Sequence, residues 1–222
     1  MAGSAGLLPW VRGMAERDDR GFMTAGAWQP DETELEAIID ELPTLLSVRA
    51  FAGRTDQISW FSQVGETPVR EETEIAEAYL AALGFPDAAI AGVPDWDAAM
   101  DCAQSGDTNS SAWEAEEQLR AGLHAELLAE ISPEALDVAL TYVRARCAAG
   151  LERHMDDLAA TWDLDDAGFL NAAAGAAVQA AHDMALALAA DAEAAHPFRL
   201  KFRLFECGRW PIGVVGASFH VF

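Results

Sequence analysis

The chain has 222 residues, about half of them apolar, and carries 37 acidic against 14 basic side chains for a net charge of −23. A field of that sign repels phosphate backbones and anionic lipid, so a conventional nucleic-acid binder and a membrane-surface protein are not expected. The apolar content is enough to build the core of one domain, and no apolar run approaches the roughly 20 residues of a spanning helix.

The acidity has two readings: solubility or salt adaptation on one side, a basic protein partner or DNA mimicry on the other. Lys201 is the only lysine and alanine is abundant, a usage that a GC-rich genome produces without functional demand. Cys102, Cys147 and Cys207 form an odd set with no close pair. That points away from a disulfide framework and toward a reduced, cytoplasmic setting. The first residues lack the basic and long apolar stretches of a signal peptide.

In chain order, a short helix is expected around Leu7 to Glu16. Asp31-Glu32 opens a clearer one with Leu35, Ile38, Ile39 and Leu42 at helical spacing. Pro43 kinks or restarts it, and a further short helix carries Leu45, Leu46 and Val48 before closing at Gly53. Residues 54–68 read as loop or extended chain. Glu71, Glu72 and Glu74 occupy the first turn of the next helix, where negative charge meets the positive end of the dipole. Ile75, Ala78, Tyr79 and Leu83 follow on one face, and Gly84 stops it. Pro86 to Gly92 reads as one helical turn or a loop. Asp95 caps a short helix with Trp96, Ala99 and Met100.

A polar run over 104–111 then separates shorter, irregular helices (1–104) from a regular second half, within a single domain spanning 1–222. Three long helices fill 111–195. The first places Leu119, Leu123, Leu127 and Ile131 on one side. Ser132-Pro133-Glu134 starts the second, whose stripe runs Leu136, Leu140, Val143, Cys147, Leu151, Leu158 and Trp162. Asp165-Asp166 opens the third, whose dense alanines suit a central position in a bundle.

Over 197–222 the period changes. Phe198, Leu200, Phe202 and Leu204 alternate with Arg199, Lys201 and Arg203, the pattern of a half-buried strand. Gly208-Arg209-Trp210-Pro211 is turn chemistry, and Ile212 to Val215 and Phe219 to Phe222 supply further strands. The expected fold is therefore mainly α: a multi-helix bundle with a small C-terminal antiparallel β-hairpin or meander. From His196 onward four basic residues stand against one acid, a net of +3, in a chain otherwise at −26. This basic segment either meets its own acidic bundle or stays open to a partner, with Arg199, Lys201, Arg203, Arg209 and Trp210 as the contact residues.

Chemical motifs are sparse. There is no nucleophile elbow, phosphate loop, dinucleotide fingerprint or H-E-x-x-H, and no cofactor is expected. His124, His154 and His182 lie on the long helices and would form a divalent-metal site if they converged. Seven tryptophans are expected mostly in the core. The reading that follows is a non-catalytic acidic interaction module, an adaptor, inhibitor or immunity-type protein for a basic partner. The alternatives are a metal-dependent bundle enzyme using the three histidines, or a self-associating structural protein that dimerises through its terminal sheet.

Overall fold

The structure is a computed structural model that describes residues 33, 37, 38, 42, 45–105, 107–162, 164 and 166–222. The helix expected at Leu7 to Glu16 and most of that over 31–42 lie outside these residues. The described helices are α1 (Leu46–Arg54), α2 (Arg70–Leu83), α3 (Trp96–Gln104), α4 (Ser110–Leu127), α5 (Pro133–Trp162), α6 (Ala167–Ala189) and α7 (Pro197–Glu206). Three short strands accompany them: β1 (Ala89–Gly92), β2 (Pro211–Val215) and β3 (Ser218–Val221). No described helix is long and apolar enough to cross a membrane.

Local chemistry sets most helix ends. Asp95, Asn109, Ser132 and Asp166 each accept a backbone N–H three residues on, at 2.8, 3.1, 3.2 and 3.0 Å, which satisfies a donor the first turn leaves open. Gly84 ends α2 in the left-handed conformation, at φ 97°, where a side chain would be strained.

The central bundle is α5 against α6, the most extensive helix pairing, with α6 also touching α1, α4 and α7. Ala173, Ala177, Ala181 and Ala185 of α6 are fully buried, so the alanine stripe does lie at the centre, where small side chains admit close neighbours. Ala181→Leu is expected to overpack this contact and cost about 1–3 kcal/mol, measured as a lower urea midpoint.

Two expectations are corrected. Residues 198–204 are not a strand: they lie in α7, which Pro197 opens at its first turn. The alternating pattern has a physical reason. Phe198, Phe202 and Phe205 enter the main core, beside Phe51 and Trp60, while Leu200 and Leu204 enter a second core with Ile75, Tyr79, Leu80, Val214 and Phe219. A short helix wedged between two cores needs apolar residues on both sides, which mimics a two-residue period. Arg199, Lys201 and Arg203 therefore point around a helix rather than sharing a sheet face.

The third strand comes instead from Ala89–Gly92, in the stretch expected as a turn or loop. The order is β1-β3-β2: β2 and β3 form the expected antiparallel hairpin, and β1 joins β3 in parallel, Ile90 opposite Phe219. The sheet is thus not a meander. Its register slips between Pro211 and Gly213, a bulge that bends β2 where it borders the cavity described next.

Candidate functional site

A cavity of about 290 Å³ opens where α2, α4, α6, α7 and β2 meet. Helix α4 supplies one wall with Ala112, Trp113, Glu116, Glu117 and Arg120, positions three and four apart that share a face. Opposite stand Ala176, Gln179, Ala180 and His182 of α6. Tyr79, Lys201 and Phe205 line it from α2 and α7, and Pro211 to Val214 close it with backbone and small apolar groups.

Two buried ion clusters form its polar part. Arg120 grips Asp183 with both prongs, Nε to Oδ1 at 2.7 Å and Nη2 to Oδ2 at 2.9 Å, and its Nη1 meets Glu117. Gln179 Nε2 donates to the same Asp183 Oδ1 at 2.9 Å, and the guanidinium lies 5.7 Å from the Phe198 ring centre. In the second cluster, Glu116 Oε1 accepts from Tyr79 Oη and from Lys201 Nζ, each at 2.6 Å. Three carboxylates face two cations, so the site carries one surplus negative charge.

Burial and pairing compete in these groups. Burial alone would raise the Glu116 carboxyl, but the Lys201 charge and its hydrogen bonds hold it below the usual range. Burial pushes the Asp183 carboxyl up, and Arg120 pulls against that without cancelling it. Burial would lower Arg120, yet Asp183 and Glu117 hold it above its ordinary value. Tyr79 is raised well above normal, first by burial and then by Glu116, so its hydroxyl is a donor and not a phenolate.

His182 is the unmatched member. Its Nδ1 is buried with no hydrogen-bond partner among the described residues. Burial, reinforced by Arg144, Arg120 and His124 against a smaller opposing effect from Asp137, pushes its pKa down to about 4. The imidazole is neutral at pH 7. Because the folded pKa lies below the ordinary 6.5, the unfolded chain binds the proton first. Stability is then full above pH 6.5 and is lost as pH falls toward 4, by something on the order of 3 kcal/mol. His182→Gln is expected to remove that part of the acid sensitivity, seen by comparing urea midpoints of the two proteins across this range.

The other residues singled out in the sequence fall in different settings. His124 is exposed on α4, near enough for its charge to act on His182. His154 sits on α5 with Nδ1 3.0 Å from the Gly150 carbonyl oxygen. Among the described residues no group of three or more His, Cys, Asp or Glu is placed to hold a metal ion. Arg199 donates to the Ala192 carbonyl at 2.7 Å, Lys201 lies in the cavity, and exposed Arg203 stands 3.9 Å from Glu71.

Arg209 and Trp210 are corrected outright as surface contacts, being 1% and 3% exposed. Arg209 pairs with Glu72 at 2.9 Å and donates to the carbonyls of Gln63, Glu66 (2.6 Å) and Thr67 (3.2 Å). Trp210 packs among Phe61, Trp96 and Phe169. A side chain at Gly208, at φ 77°, would run into Ser62 and Gln63, so glycine is what lets this turn close on the loop.

Sequence reasoning passed over Glu116, Arg120 and Asp183. The available signal was Asp183, the one charge in an apolar helix from Ala167 to Ala189, since a charge on such a helix must find a partner. It also missed Cys102 Sγ and His220 Nδ1, 3.3 Å apart. Burial and Asp101 raise that thiol and burial lowers that imidazole, and Cys102 lies in the last turn of α3 where the dipole disfavours a thiolate. The pair is a neutral hydrogen bond. Comparison of the chain with protein-family models, with curated proteins and with solved structures found no match.

Proposed function

We propose that the protein binds a small molecule in the cavity between α4, α6, α7 and β2. The observation that carries this is the cavity's wall: charged and polar groups fixed by several mutual hydrogen bonds, beside apolar side chains that make up about half of the lining. Groups held this way lose little freedom when a ligand arrives. The volume stands at the lower end of ligand cavities, about 300–1,000 Å³, so the ligand is small.

Lys201 is the only lysine, which gives a direct test. Reductive ¹³C-methylation keeps its charge and places an NMR signal inside the cavity. A fragment set spanning cationic, anionic and neutral compounds is expected to yield members that shift this signal saturably. Ala176→Leu, which fills the cavity without removing a charge, is expected to abolish the shift. A set with no saturable member overturns the reading.

The net charge of −23 supports a second reading, contact with a basic protein partner. It predicts capture that weakens with salt, and recovered partners without a basic bias would count against it. The three free cysteines support placing the protein in a reducing, cytoplasmic compartment.

A further inference from the structure

We propose that the ligand is a small organic ammonium ion carrying an apolar group, an inference that rests on the cavity being a ligand site. The first argument is that the cavity's cations are already matched. Lys201 is bound to Glu116 and Arg120 is bidentate on Asp183. An anionic ligand would compete with Glu116 or Asp183 for these cations and enter a site with a surplus negative charge, in a chain at −23. A cation leaves the Lys201–Glu116 and Arg120–Asp183 pairs in place, shares Glu117 with Arg120 and cancels the surplus.

The second argument is the lining. Trp113 and Glu117 are one turn apart on the same face of α4, both at the cavity, with Trp113 38% exposed and the Glu117 side chain 42% exposed. An open aromatic face beside a carboxylate is the pairing that attracts ammonium groups. Part of the remaining polar capacity consists of acceptors. Glu116 uses only Oε1 for its two bonds, so Oε2 has no donor among the described residues. Gln179 spends one amide N–H on Asp183, leaving the other N–H and its carbonyl oxygen. His182 adds a neutral ring with a buried, unpartnered nitrogen. A ligand with several N–H groups satisfies the open acceptors of Glu116 and Gln179, whereas a carboxylate or phosphate does not. The apolar part of the ligand would rest on Ala112, Ala176, Ala180, Phe205, Ile212 and Val214.

The test titrates three probes of similar size that share a phenyl ring: 2-phenylethylammonium, 3-phenylpropionate and 3-phenylpropan-1-ol, each followed by calorimetry and by the labelled Lys201 signal. The ammonium probe is expected to bind at least about tenfold more tightly than the others. Glu117→Gln and Trp113→Leu should each weaken it, the first by about tenfold. Glu114→Gln removes the same charge from an exposed position outside the cavity and should leave affinity unchanged. If the carboxylate or alcohol binds as tightly, or if only anionic or neutral fragments move the Lys201 signal, the ammonium proposal falls and the cavity reading stands. Silence of that signal toward every probe and fragment overturns both.

Discussion

Replacing Arg209 with alanine is expected to cost about 3–5 kcal/mol of folding stability, read as a large drop in urea midpoint with the slope unchanged. The guanidinium is 1% exposed and serves one buried carboxylate and three backbone carbonyls at once. Its loss leaves Glu72, itself 7% exposed, without its counter-ion, and leaves the carbonyls of Gln63, Glu66 and Thr67 without this donor. Glu72 has a second duty, accepting the Val69 N–H at 2.8 Å where α2 begins. The loop so held includes Phe61, a bulky residue at φ 57° that is stacked edge-on to Phe205 and Trp210. That backbone strain persists only because the surroundings over-determine it. Arg209→Met, which restores volume but no donors, should recover little. Arg203→Ala, an exposed pair with Glu71, should change stability by less than about 0.5 kcal/mol. A small cost for Arg209→Ala, near that of Arg203→Ala, would refute the staple.

Several helix starts were legible because each carries its own chemistry. Asp95, Ser132 and Asp166 act as caps within their own few residues, with no help from the rest of the fold. Helix α7 was not legible because its apolar pattern answers to two cores at once, and a period of two is what that double burial leaves on the chain. Strand β1 has only four residues and owes its existence to β3, more than 120 positions later, so nothing local announces it. The cavity was hidden for the same reason. Glu116 and Lys201 are 85 residues apart and Arg120 and Asp183 are 63 apart. In a chain this rich in carboxylates, only packing distinguishes a buried one. Arg209 shows the converse: a basic residue beside tryptophan in a turn suits an exposed contact site, yet the same chemistry serves a buried staple.

Arg120→Met is expected to be comparably destructive, about 3–5 kcal/mol at pH 7, because it strands Asp183 at 2% exposure with Gln179 as its one side-chain donor among the described residues. The pH dependence separates this cause from simple loss of packing against Phe198. Burial already pushes the Asp183 carboxyl up, and without Arg120 the largest opposing effect is gone, leaving the smaller one from Lys201. A carboxyl whose folded pKa is raised is penalised at high pH and relieved as it protonates. The gap in urea midpoint between wild type and Arg120→Met should therefore narrow steadily as pH falls below neutrality. Lost packing alone would give a gap independent of pH. The double change Arg120→Met with Asp183→Leu removes both charges and should recover most of the stability. It should not recover the ammonium site: the surplus charge is unchanged, but Glu117 has lost the guanidinium that positions it and the wall has lost the shape Arg120 gave it. Stability restored while binding stays absent would show that the buried pair is kept to form the cavity wall, because an apolar pair holds α4 to α6 equally well.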